Sequence, residues 1–155
     1  MTAEALLEVL QQHPFSDELS ARHLEILAGM VRLSRFGTDT VIFREGDECT
    51  EFYLISSGRI ALEIVAPGRI FRVQTLGAGD ELGWSSMLMG SGKHFQARAL
   101  EPVELLEFEG ADLLKVCRSD PEFGYALMYR MLGVVSERLQ ATRLQLLDIY
   151  TPKLH

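Results

Sequence analysis

Catalysis needs a nucleophile, a base or a metal cage at a fixed spacing, and the standard arrangements are missing. There is no Gly-x-Ser-x-Gly turn to thrust a serine outward, no Gly-x-x-x-x-Gly-Lys-Ser/Thr loop for a triphosphate, and no His-Glu-x-x-His helix for zinc. The four histidines, His13, His23, His94 and His155, are scattered, and Cys49 and Cys117 form no Cys-x-x-Cys pair. Neither a metal site nor a disulfide is expected from that spacing. Residues with binding chemistry gather between Leu76 and Ala99, where Glu81, Ser85, Ser86, Lys93 and His94 lie among glycines and the aromatic Trp84 and Phe95. An enzyme acting here would need a base and a nucleophile or metal converging near Ser85, and His94 is the only base on offer. The chain therefore reads as a binding protein, not an enzyme, with His13 and His23 as surface residues of its opening helices.

The elements around that stretch follow from hydrophobic periodicity. Leu6, Leu7 and Leu10, then Leu19, Leu24, Ile26, Leu27 and Val31, repeat at helical spacing, so residues 1–31 form two short helices. Pro14 ends the first, and Ser16-Asp17-Glu18-Leu19 supplies the cap region of the second. From Leu33 to Phe108 short apolar runs such as Val41-Ile42-Phe43 and Phe52-Tyr53-Leu54-Ile55 are closed by glycines or polar turns, the pattern of antiparallel strands. Residues 111–150 return to helix, a short one and then a long one opened by Ser119-Asp120-Pro121-Glu122. The expected fold is α+β, mainly β: a jelly-roll-like antiparallel β-roll flanked by helices, in one domain spanning residues 1–155.

Within the long helix Met128, Leu132, Val135, Leu139, Thr142, Leu146 and Ile149 alternate steps of four and three, the heptad seam of a parallel helix pair. The expected assembly is a homodimer through that seam, with Leu144 and Leu147, off the seam, holding the helix against its own roll. A net charge of −7 and a pI near 5.1 disfavour phosphate backbones, so nucleic acid is not an expected partner. No window approaches a membrane span, and Glu4 and Glu8 stand where a signal peptide would be basic and apolar, which places the protein in the cytoplasm and off the membrane.

The stretches Ile42-Phe43-Arg44-Glu45-Gly46-Asp47 and Phe52-Tyr53-Leu54-Ile55-Ser56-Ser57-Gly58-Arg59-Ile60 resemble the opening strands and turns of cyclic-nucleotide-binding domains. The order of helices, roll, short helix and long helix is similar to the sensory half of the catabolite-activator type of regulator. In that family a glycine-rich turn and a one-turn helix form a phosphate-binding cassette, with a Glu for the ribose and an Arg for the cyclic phosphate. The resemblance also extends to Arg138-Leu139-Gln140-Ala141-Thr142, where Thr142 matches the position that reaches over the nucleotide base. Its hydroxyl has two candidate partners, a ligand base or a backbone carbonyl of the preceding helical turn.

The cassette departs from the family pattern in either register. Matching Gly79-Asp80 and Gly83 to the family's Gly-Asp-x-x-Gly keeps both turn glycines without an insertion and puts Trp84 at the Glu position and His94 at the Arg position. Matching Glu81-Leu82-Gly83 to the family's Glu-Leu-Gly keeps the Glu and puts Lys93 at the Arg position. Both registers lack the arginine, whose forked bidentate geometry neither Lys93 nor His94 reproduces, so cyclic AMP or cyclic GMP is expected to bind weakly or not at all. Ser85, Ser86 and the turn's N–H groups remain as donors for an anion, while Trp84, His94 and Phe95 either line a pocket for a flatter ligand or fill it. Arg98 is expected exposed or paired with Glu63 or Glu101.

Two readings follow. One is a sensor domain in which a small molecule changes how the long helices pair and a partner protein reads the change; the other is a degenerate, ligand-free dimerisation or docking module. Ending at His155, the chain leaves no room for a helix-turn-helix after the long helix, so no DNA-binding domain is expected.

Overall fold

The computed structural model describes residues 2–48, 50–87 and 95–150. Helix α1 (Ala3–Gln12) begins where the Thr2 hydroxyl accepts the Ala5 N–H at 3.1 Å, and it stops as His13 turns extended ahead of Pro14. A 3₁₀ turn, Pro14–Ser16, then leads to α2 (Ala21–Ala28). The cap of α2 is Ser20, whose hydroxyl accepts the His23 N–H, and not the expected Ser16-to-Leu19 region. Ser16 is buried instead and donates its hydroxyl to the Leu10 carbonyl, tying the turn to α1.

Among the described residues eight strands follow: β1 (Arg32–Phe36), β2 (Val41–Phe43), β3 (Glu51–Ser57), β4 (Ile60–Ala66), β5 (Arg69–Leu76), β6 (Glu81–Leu82), β7 (Gln96–Ala99) and β8 (Val103–Glu109). They form two antiparallel four-stranded sheets, ordered β1-β8-β3-β6 and β2-β7-β4-β5. Strand alternation builds two cores from β3 and β8. Tyr53, Ile55, Val103 and Leu105 point into the roll with Ile60, Leu62, Ala97 and Ala99, whereas Phe52, Leu54, Leu106 and Phe108 point out onto the helices. Burial on both faces places apolar residues side by side, Phe52-Tyr53-Leu54-Ile55 in β3 and Leu105-Leu106 in β8. Gly58 closes the β3–β4 turn at φ +92°, where a Cβ would stand 2.5 Å from the Pro102 carbonyl oxygen.

Helix α3 (Gly110–Ser119) and the long α4 (Pro121–Tyr150) complete the fold. Asp120 separates them, accepting the Phe123 N–H at 3.1 Å and pairing with Arg22 of α2. Phe123, Leu127, Met131 and Val134 of α4 bury on the helix-facing core at steps of four, four and three. Met128, Leu132, Leu139, Leu146 and Ile149 of the predicted seam are exposed, Val135 is half-buried and Thr142 is exposed. Leu144 and Leu147 do not hold α4 to the roll as expected: both are exposed, because the buried apolar stripe of α4 ends at Val134. Among the described residues no helix is long and apolar enough to cross a membrane.

Candidate ligand site between the roll and the long helix

The roll-facing stripe of α4 continues past Val134 in polar form, because Arg138 and Ala141 follow at steps of four and three and stay half-buried. They form one wall of a cleft of about 200 Å³ whose other walls are Gln74 to Leu76 of β5 and Asp80-Glu81 at the start of β6. Pairing of Leu54 with Glu81 and of Tyr53 with Leu82 sets the direction of the short β6. Leu82 shares the face of Tyr53 and enters the roll; Glu81 shares the face of Leu54 and lies beneath the helical layer.

Glu81 is thus a buried acid, 7% exposed. Burial first, then the neighbouring Asp80, push its carboxyl up to about 7, against the opposing pull of Arg138. Arg138 does not bond that carboxyl. Its Nη2 donates at 2.8 Å to the main-chain oxygen of Glu81, and burial lowers the guanidinium pKa from its ordinary value. Further along α4 the Gln145 amide donates to the Val73 carbonyl, a second tie of the helix to the roll, this one to β5.

The Asp80 turn is braced from two sides. Its carboxylate accepts the Gly77 N–H at 2.8 Å, and its carbonyl accepts the Ile55 N–H at 2.9 Å. The same carbonyl lies 3.3 Å from His13 Nε2, while His13 Nδ1 accepts the Phe15 N–H at 3.0 Å, so the proton sits on Nε2. Burial lowers the His13 pKa. The expectation that His13 and His23 are exposed is corrected: both are buried, because the opening helices pack on the sheet and on α4 instead of standing off in solvent. Arg130 of α4 completes the junction, donating to the Phe15 and Pro14 carbonyls at 2.9 Å each.

The remaining expected site residues are dispersed. Gly83, at φ +80°, turns the chain into a 3₁₀ turn, Trp84–Met87, in which Ser86 N–H returns to the Gly83 carbonyl. Trp84 is half-buried on the helix-facing core, and Phe95 packs on the roll interior. Ser86 is buried against Gly110, and its Oγ has no hydrogen-bond partner among the described residues. Ser85 lies in the same turn, while Lys93 and His94 lie outside the described residues. The Thr142 hydroxyl donates to the Arg138 carbonyl at 3.0 Å, the backbone partner of the two considered.

Arg98 pairs with Glu63, of the two acids considered, through Nε at 3.0 Å and Nη2 at 2.7 Å, and also reaches Asp39. Gln96 adds a third donor to the buried Glu63, and the Arg98 bonds hold that carboxyl below the usual carboxylate range. Glu101 is taken by Arg59. Sequence reasoning missed His13, Asp80, Arg138 and Glu137 as site residues. The signal for Arg138 was present in the spacing Met131, Val134, Arg138, Ala141, an uninterrupted helical stripe with one polar member. Among the described residues no three His, Cys, Asp or Glu side chains converge to hold a metal.

A family model for the cyclic nucleotide-binding domain matches residues 33–120, and the chain belongs to that family. An uncharacterised protein of Mycobacterium tuberculosis, matched in strains H37Rv and CDC 1551, is 30% identical over 104 residues, 67% of this chain. The chain spans only 18% of the length of those relatives. Among solved structures, a cyclic nucleotide-binding domain from Methylobacillus flagellatus KT superposes with a TM-score of 0.81 at 20% identity, over 99% of this chain and 86% of that one. The Thermus thermophilus catabolite activator protein gives 0.71 at 24% identity, over 86% and 61% of the two chains. The c-di-GMP responsive global regulator CLP of Xanthomonas campestris gives 0.73 at 21%, over 86% and 66%. At these identities the structural likeness establishes the fold, an antiparallel roll with helices at both ends.

Proposed function

We propose that this chain is a non-enzymatic regulatory domain that pairs with a second copy along α4, takes a small molecule between the roll and α4, and passes the resulting change to a partner protein. The observation that carries the reading is the division of labour on α4. One face buries Phe123, Leu127 and Met131 in the chain's own core and then lines the cleft with Arg138 and Ala141. The other face presents Met128, Leu132, Leu139, Leu146 and Ile149, between 38% and 75% exposed, at coiled-coil spacing. A ligand that bound differently to two positions of α4 would therefore shift the pairing equilibrium.

Sedimentation equilibrium of the full chain, with titration by cyclic AMP and cyclic GMP, tests the reading. A dimer whose stability changes on ligand addition supports it; a chain that stays monomeric at high concentration overturns it. The alternative, a ligand-free dimerisation or docking module, is favoured by the packing of Trp84 on the helix-facing core and by the Thr142 hydroxyl being satisfied within its own helix. A dimer indifferent to every ligand tried would support that second reading.

A further inference from the structure

Among the described residues three carboxylates, Asp80, Glu81 and Glu137, line the cleft beneath α4 against a single cation, Arg138. Asp80 is engaged by the Gly77 N–H, and Arg138 directs Nη2 to the Glu81 main-chain oxygen. The Glu81 carboxyl is the group left over. It belongs to a residue 7% exposed, lies on the side of β6 that faces α4, and receives no side-chain donor among the described residues. Its own main-chain N–H is the one donor that holds it; a buried carboxylate so sparsely bonded is costly, and an anion brought beside it would add to that cost. A ligand nitrogen carrying protons would offset it through charge-assisted hydrogen bonds.

From this geometry we infer that the cleft binds a small organic cation, an ammonium or guanidinium compound, held by the Glu81 carboxyl between β6 and α4. The volume, about 200 Å³, corresponds to about seven water molecules. The inference deepens the regulatory reading and rests on it only for the consequence, a shift of α4 against the roll.

The groups facing Glu81 are Asp80 from its own turn and Glu137 and Arg138 from α4, with His13 beyond Asp80 on the carbonyl of that residue. β5 contributes the neutral Gln74 and Thr75, and β3 contributes Leu54. With the Glu81 carboxyl titrating near 7, a cation binds the ionised form, so affinity rises about tenfold from about pH 6 to about pH 8.

Isothermal titration of the full chain with 1,4-diaminobutane at both pH values, at about 0.15 M salt, tests the site. The expected result is saturable binding, about tenfold tighter at the higher pH, with proton release. Glu81→Gln should weaken binding about tenfold or more at the higher pH, as should Ala141→Phe, which fills the cleft from α4 and keeps the carboxyl in the sequence. Absence of heat with the folded protein at both pH values overturns the inference, and so does binding that both variants leave unchanged, the mark of surface screening. Sedimentation of the same samples separates the two readings. A dimer that ignores the diamine removes the cation site and leaves the regulatory domain, whereas a monomer that binds it does the reverse.

Discussion

Arg138 hydrogen-bonds the main-chain oxygen of Glu81 at 2.8 Å and leaves the carboxyl of that residue without a side-chain donor among the described residues. The helix is thereby tied to β6 without neutralising the acid that β6 buries. The displacement of Glu81 from its ordinary 4.5 to about 7 corresponds to about 3 kcal/mol between its two protonation states. The folded chain holds this proton more tightly than the unfolded chain. Stability is therefore undiminished below about pH 4.5 and falls as pH rises through about 7. Urea denaturation at several pH values should show that loss, and Glu81→Gln should flatten it and be the more stable form at about pH 8.

Glu63 titrates in the opposite sense. Arg98 and Gln96 hold its ionised form, so its contribution is complete above the ordinary carboxylate pKa and is lost as pH falls through the depressed value. Arg98→Met leaves Glu63, 1% exposed, with Gln96 alone among those donors. The expected loss is about 3 kcal/mol at neutral pH, the low end for breaking a buried pair, because Arg98 itself is partly exposed. The loss should shrink in acid, where Glu63 is protonated in both forms; the chemical denaturation midpoint measures it.

Gly110 opens α3 where a Cβ would stand 2.5 Å from the Ser86 carbonyl oxygen, a backbone atom held in the 3₁₀ turn. Gly110→Ala must push the turn away from α3 and should cost about 1–3 kcal/mol. Trp84 lies in that turn and is the only tryptophan of the chain, so its fluorescence should shift with the substitution. An unchanged spectrum with unchanged stability would mean that the turn yields freely.

The fold was legible because its signals are local. Apolar runs closed by glycines gave the strands, and the Asp120-Pro121 start of α4 was readable from capping chemistry alone. The site was less legible, because its members meet only through tertiary pairing. That Glu81 lies under α4 follows from the register of Leu54 with Glu81, which no property of residues 79–83 reveals. His13 looked like a surface residue of an amphipathic helix, and only the return of Asp80 to the opening turn, 67 residues on, buries it and gives it a partner. Leu144 and Leu147 misled for a related reason: helical periodicity shows which residues share a face but not how far the roll extends beneath it.

The part of α4 beyond Val134 decides the proposed assembly. Within one chain it is tied to the roll by Arg138 and Gln145, and its apolar residues Leu139, Leu144, Leu146, Leu147 and Ile149 are exposed. A helical overhang with so little of its own core has low local stability alone. In the proposed dimer, pairing with a second copy would bury the seam, worth about 1.5–3 kcal/mol for each large side chain fully covered. Leu132→Asp with Leu139→Asp places charges in that seam and touches nothing buried in the single chain, since both leucines are more than 60% exposed. The double variant should sediment as a monomer while keeping the wild-type circular dichroism of the roll. Amide exchange over residues 135–150 should be slow and concentration-dependent in the wild type and fast in the variant. Equal protection in the two proteins would show that α4 is held by its own chain, and the homodimer would have to be built elsewhere.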